Sequence, residues 1–291
     1  MSETRRLMRL AAIVAGLATA AITVGTFGIL ANTVMAKSSS NKFGLITPGT
    51  LTIANYGGCA PPICTTASNH LTDVDGDFLT DFAKSEHLKV HLYNTTFSSV
   101  ILAVEQHKAD VGTYYYYTAA RAKVIYYSYP YYAERAAVIT MKSFHYKGIS
   151  SLAGDKIGVT TGEVWASYLQ SALGADALLF PNEADQATAL LNGQIQGFVQ
   201  STVGSIGVAP LIGKPVVAHL LSKGDWGMPA SVLSTLDYNL VACDRTGLAR
   251  AMDKYEVALH KSGEWTKILK KSHAGAGAAV SSLKAPVQYC G

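Results

Sequence analysis

Between residues 51 and 271 the apolar pattern alternates between strand and helix periods, and it does so twice. Leu51–Asn55 is an apolar strand that ends in the turn Gly57-Gly58-Cys59-Ala60-Pro61-Pro62. Val74, Phe78 and Phe82 fall at helical spacing, Leu88, Val90 and Leu92 alternate as in a strand, and Phe97, Val100, Ile101 and Val104 share one helical face. A strand near Asp110–Tyr115 completes a βαβαβ series, which implies a mostly parallel sheet. After about residue 145 the pattern restarts. Lys156–Thr160 reads as a strand, Gly162–Ala172 as a helix and Ala177–Phe180 as a strand. Asn182–Asn192 is a helix with Asn182 as N-cap and Gly193 as C-cap, and Ile195–Val199 is a strand. Asp237–Ala242 is one more strand, Thr246–His260 and Glu264–Lys271 are helices, and the Ala/Gly/Ser-rich tail 274–291 reads as irregular. Two such units in tandem point to an α/β fold of two lobes.

The chain is 49% hydrophobic and 15% charged, which excludes an intrinsically disordered protein. Residues 1–36 read as an export signal: Arg5, Arg6 and Arg9, then an uncharged run from Leu10 to Leu30, then Val34-Met35-Ala36 before cleavage at Lys37. The run is long enough to span a bilayer, so an uncleaved anchor is the alternative, and Thr4-Arg5-Arg6 raises the twin-arginine route. Without that segment 21 basic and 19 acidic side chains remain, and so balanced a body has no electrostatic reason to bind nucleic acid. The four cysteines, Cys59, Cys64, Cys243 and Cys290, form an even set in an exported chain, and the favoured pairing is Cys59–Cys64 with Cys243–Cys290. A four-cysteine zinc site is the rival that the spacing fits poorly.

Enzyme and metal motifs are missing from the sequence. There is no H-E-x-x-H and no G-x-S-x-G, and the eight histidines show no ligand spacing. The stretch Gly207 to Lys214 fails as a phosphate loop, because Pro215 follows the lysine, and it reads as a surface loop. Neither a cofactor nor a metal is expected. The outlying feature is tyrosine: of sixteen, nine lie between Tyr114 and Tyr132.

That tyrosine-rich stretch, KADVGTYYYYTAARAKVIYYSYPYY from Lys108 to Tyr132, resembles the signature of the family 3 extracellular solute-binding proteins of ABC transporters. The matching positions are Asp110, Thr118-Ala119-Ala120-Arg121 and Tyr126-Tyr127-Ser128-Tyr129-Pro130-Tyr131. Leu51–Pro62 sits where the family has its first strand and pocket turn, and Ser151–Val159 is similar to its S-L-x-G-K-x-V-G-V segment. Leu190–Val199 and Gly263–Ile268 occupy the places of two further family segments, so the resemblance covers roughly 48–273. It implies a two-lobed, type II periplasmic-binding fold with two crossing hinge strands. Lobe 1 would be 48–137 plus 238–291 and lobe 2 would be 138–237. The implied protein is an exported periplasmic or extracellular monomer that captures a small polar ligand and hands it to the membrane subunits of an ABC permease.

Carried over residue by residue, the resemblance makes Arg121 the clamp for a ligand carboxylate. Thr113, Tyr114 and Tyr116 become pocket contacts, and Thr161, Glu163 and Val164 become a helix opening that holds the same carboxylate from the other lobe. Two departures follow from the same alignment. Ser201 stands where amino-acid binders of the family carry the Asp that pairs with the ligand ammonium, and Cys59 replaces the aromatic of the first pocket turn. Glu163 either supplies a relocated anion or is an acid favoured by a helix dipole. The ligand expected is a carboxylate lacking the usual α-ammonium, or an amine placed differently and held by tyrosine faces. The rival readings are a dehydratase-like enzyme on a cyclic carboxylic acid and a membrane-anchored ligand sensor.

Overall fold

Strand β1 (Thr50–Asn55) has five consecutive buried residues, the pattern of a strand covered on both faces. A small antiparallel sheet of β2 (Cys59–Ala60), β3 (Ile63–Thr65) and β4 (Leu71–Thr72) follows, and then α1 (Asp73–Ser85) buries Val74, Phe78, Leu79 and Phe82. The helix is the crossover that lets β5 (Lys89–Asn94) return parallel to β1, with Ile53 opposite Leu92. Helix α2 (Val100–Glu105) then leads to β6 (Gly112–Tyr116), every residue of which is buried. The computed structural model describes residues 41–56, 59–60, 63–65, 70–272, 274 and 278–290, with backbone alone at 59–60, 63–65, 206–208 and 210. The expected export segment, 1–36, lies outside the described residues.

Strand β7 (Tyr126–Met141) is 16 residues long and changes partners along its length. Next come β8 (Ile157–Thr160), α3 (Ala166–Leu173), β9 (Ala177–Phe180), α4 (Glu183–Leu191), β10 (Gly197–Ser201), α5 (Thr202–Ile212) and β11 (Val216–Leu220). The chain finishes with β12 (Ser234–Val241), α6 (Thr246–Ser262) and α7 (Glu264–Lys271). The strand order is β6-β12-β7-β10-β8-β9, with β11 also on β7. Up to Arg135, β7 runs antiparallel to β12; from Ala136 onward it runs antiparallel to β10 and β11. The βαβαβ series at 51–115 pairs parallel as expected, β1 with β5 and Ile53 with Val111, whereas in the larger sheet only β8–β9 and β8–β10 are parallel. The reason is that β7 and β12 carry the chain between two cores, a connection that pattern reading within either unit does not see.

One core draws on 43–132 together with 238–278, around Phe78, Tyr131, Leu248 and Trp265, and takes in Val203 from α5. Beyond Arg135 the residues of β7 alternate between two other cores: Ala136 and Val138 pack with Trp165 and Leu169, while Ala137 and Ile139 pack with Leu190 and Phe198. Pro130, which has no N–H to give, faces Tyr238 where the β7–β12 register shifts between Asp237 and Tyr238.

Two local expectations change. The stretch read as a surface loop near Gly207–Lys214 lies mostly in α5, whose N-cap is Ser201: its side chain accepts from the Gly204 N–H at 2.8 Å. Glycine is needed at 204 because the Gln200 side chain folds over the first turn, and a Cβ there would stand 2.8 Å from Gln200 Cδ. The helix expected from Gly162 starts instead at Ala166, because Gly162 has φ +91 and breaks the helical path.

Asp110, the first residue of the tyrosine-rich signature, is structural. Its carboxylate accepts from the N–H groups of Ile46 (2.9 Å) and Thr52 (2.8 Å) and pairs with Arg245 Nη1 at 2.6 Å. A disulfide joins Cys243 to Cys290, 47 residues apart, and Gln288 bonds both the N–H and the carbonyl of Tyr127, so the irregular tail is tied to β7. Cys59 faces Cys64 in the β2–β3 register, and the side chains of that expected pair lie outside the described residues.

Candidate functional site

Tyr114 is the strained residue of β6. Its φ of +64 is rare for a non-glycine, and such outliers concentrate at functional sites. Its N–H bonds the Tyr131 hydroxyl at 3.1 Å, while its own hydroxyl crosses to the other lobe and meets Gln200 Oε1 (2.9 Å) and Ser201 Oγ (2.8 Å). Gln200 Nε2 continues the chain to Glu183 Oε1 at 3.3 Å. Thr113, expected as a ligand contact, turns its hydroxyl into the core against Tyr131 at 2.7 Å. Tyr116 is buried, donates its hydroxyl to Glu134 Oε1 and packs edge-on against Trp165.

Arg121 sits at the seam. Nη1 donates to the Tyr116 carbonyl (2.9 Å), Nη2 to the Gly162 carbonyl (2.8 Å), and the guanidinium lies 4.9 Å from the centre of the Tyr115 ring. Two of its five donors are thus taken by main-chain oxygens, one from each side. The anion cradle expected at 161–164 is not formed as a helix opening. The Thr161 N–H bonds Phe180 O at 2.8 Å, the Glu163 N–H bonds Thr160 O at 3.1 Å, and α3 starts only at Ala166. Val164 is half-buried. Glu163 opens the turn that leads into α3, its carbonyl accepting from the Ala166 N–H at 3.2 Å, and it is 7% exposed. Ser201 is fully buried with its oxygen shared between the α5 cap and Tyr114. Cys59 lies outside the described side chains.

The residues that the sequence reading passed over are carboxyls. Asp75, Glu134, Glu183 and Asp237 are each at most 3% exposed, and with Glu163 they make five buried acids. None takes part in an ion pair among the described residues. Burial raises all five: Glu134 to about 7 and Glu163 to about 8, the latter also repelled by Glu183 and eased by Arg121. Glu134 on β7 and Asp237 on β12 lie against each other on the two connecting strands. The Glu134 and Asp237 carboxyls share a hydrogen bond, whereas Glu183 Oε2 and the hydroxyl of Tyr56 have no hydrogen-bond partner among the described residues. A signal was present: Asp75 lies on the apolar face of α1, and Glu134 and Asp237 interrupt apolar strands. Among the described residues no group of three His, Cys, Asp or Glu is placed to hold a metal.

No curated protein sequence matches the chain significantly. Solved structures share its fold. The substrate-binding protein of an amino acid ABC transporter superposes with TM-score 0.69 at 17% identity, covering 78% of this chain and 100% of that one. A substrate-binding protein of an amino acid ABC transporter from Streptococcus pneumoniae, bound to L-arginine, gives 0.65 at 21%, covering 78% and 95%. A histidine kinase sensor domain with similarity to periplasmic binding proteins gives 0.65 at 17%, covering 79% and 97%. The two-lobed fold is therefore that of the type II periplasmic binding proteins, with β7 and β12 as the crossing strands. Residues 51–274, which span both lobes, match the profile of one family over most of the chain, and the protein belongs to the bacterial extracellular solute-binding proteins, family 3.

Proposed function

We propose that this chain is an exported receptor that closes two lobes over a small polar, amino-acid-like ligand and delivers it to the membrane subunits of an ABC permease. The observation that carries the reading is the pair of bridges across the seam, Tyr114 to Gln200 and Ser201, and Arg121 to Gly162. Polar side chains from both lobes converge on one buried interior, as hinge closure around a solute requires. Lobe 1 is assigned to 48–137 and 238–291 and lobe 2 to 138–237. The exchange of partners along β7 after Arg135 supports that division, and the cores follow it except at Val203 and Tyr116, each of which packs into the other lobe's core. Arg121, Tyr114, Tyr116, Glu163 and Ser201 are the site residues. Arg121 exchanges its carbonyl partners for ligand when the lobes reopen. Family and neighbours are binding proteins, which weighs against the dehydratase reading.

A thermal-shift screen of amino acids, organic acids and amines tests the function. At 100 times its dissociation constant a ligand stabilises by about 2.7 kcal/mol, which at ~2–4 °C per kcal/mol is a rise of roughly 5–10 °C. A flat response across the panel would end the receptor reading.

The sensor alternative keeps one specific support, the likeness to a kinase sensor domain. Among the described residues no helix is long and apolar enough to cross a membrane. Intact mass of protein recovered from the outside of the cell separates the two. A chain starting near Lys37 with four cysteines oxidised is expected, and a retained Met1 favours the anchored sensor.

A further inference from the structure

We infer that the disulfide-tethered tail belongs to the binding machinery: Gln288 is a positioning residue that, acting through Tyr127 and the Tyr116 carbonyl, holds the Arg121 guanidinium in place for a ligand carboxylate. This role rests on the receptor reading, in which Arg121 is the ligand anchor.

The contacts from tail to anchor are continuous. At Tyr127, β7 is paired with β12, and β10 and β11 join it only from Ala136 onward. Gln288 takes the backbone groups of Tyr127 as a neighbouring strand would. Its Oε1 accepts from the Tyr127 N–H at 3.2 Å and its Nε2 donates to the Tyr127 carbonyl at 2.9 Å, a two-point hold that only a carboxamide can make in full. The tail reaches this place because Cys290 is bonded to Cys243, just beyond the end of β12, whose Val241 is paired with Tyr126. Tyr289 adds a hydrogen bond to Tyr117, whose ring meets that of Tyr127 edge-on at 5.4 Å.

Tyr127 is fully buried, and its hydroxyl donates to the Tyr116 carbonyl at 3.2 Å. The same oxygen accepts from Arg121 Nη1 at 2.9 Å, one lone pair serving each donor. With Nη1 held there and the guanidinium over the Tyr115 ring, the other edge of the fork points at the second lobe, where Nη2 meets the Gly162 carbonyl. That edge is the one a carboxylate takes when the lobes open. An arginine fixed beforehand loses less rotamer freedom on binding, so the brace raises affinity without adding a contact to the ligand.

Phenylglyoxal, which condenses with arginine side chains, tests the brace without any ligand. In the oxidised mature chain, Gln288→Ala should speed modification of Arg121 roughly threefold or more, the scale of one lost hydrogen bond, while the exposed Arg250 reacts as in wild type. Hydrogen exchange at the Tyr127 amide should quicken about tenfold, equivalent to ~1.4 kcal/mol. Gln288→Glu can donate to the Tyr127 carbonyl only while protonated, so it should protect that amide at about pH 4 and fail at about pH 7, a dependence that simple loss of packing would not produce. Calorimetric titration with the carboxylates of the solute panel, L-glutamine and glutarate among them, should show weaker binding to Gln288→Ala at an unchanged melting temperature. Arg121 modified at the wild-type rate in that variant overturns the inference, as does carboxylate affinity that stays the same although Arg121 reacts faster. A panel in which amines bind and every carboxylate is silent overturns the carboxylate role and leaves the receptor reading standing. A flat panel removes the receptor reading, and the Arg121 and Tyr127 rates, which need no solute, still decide the brace.

Discussion

The unliganded protein should melt roughly 10 °C lower near pH 9 than near pH 5, an inversion of the usual behaviour of carboxylates. Glu134 and Glu163 keep their protons in the folded chain up to about 7 and about 8, against an ordinary 4.5. Between those limits the folded chain binds more protons than the unfolded one. Stability therefore falls as pH rises through the window and levels off above it. Each retained proton is equivalent to about 1.4 kcal/mol per pH unit, and hydration of the acids when the cleft opens limits the total to ~4 kcal/mol. Around Glu163, Glu183 and Glu134 reinforce the rise while Arg121 and the Val164 N–H oppose it; around Glu134, hydrogen bonds with Ser201, Tyr116, Asp237 and the Val203 N–H oppose it, and desolvation outweighs them. Thermal unfolding across the pH range provides the check, with Glu134→Gln and Glu163→Gln each expected to flatten the slope. A melting temperature that climbs toward pH 8 in wild type and variants alike would refute the protonated interior.

Loss of the Cys243–Cys290 bridge should cost a comparable amount. It closes a loop of 47 residues, for which the chain-entropy relation gives ~4 kcal/mol, or a fall in melting temperature of roughly 8–16 °C. The described residues beyond 278 form no helix or strand, and they are held to the body by this bond, the Gln288 contacts to Tyr127 and a hydrogen bond between Tyr289 and Tyr117. Cys243→Ser combined with Cys290→Ser isolates the effect from mispairing with Cys59 or Cys64. If the double variant melts within 1–2 °C of wild type, corresponding to under about 0.5 kcal/mol, the loop is already restrained in the unfolded state.

Local order was legible in the sequence because its causes are local. Asn182 caps α4 by accepting from the Asp185 N–H at 2.9 Å, and α7 runs over Glu264–Lys271 as its periodicity required. Five ordered segments were enough to identify the family, because a strand–turn–helix unit writes its spacing into adjacent residues. Helix α5 was illegible: Gly204, Gly207 and Pro210 argue against a helix, and what permits it is the Ser201 cap and the Gln200 side chain laid over its first turn. The site was legible only in part. Arg121, Tyr114 and Glu163 could be named from the alignment, but the sequence does not tell that the Arg121 fork reaches Gly162, 41 residues on. Nor does it tell that acids as far apart as Asp75, Glu134, Glu183 and Asp237 share one buried interior. Which carboxyls lose their water together is a property of how two lobes meet, and burial is what turns ordinary surface acids into groups that hold their protons.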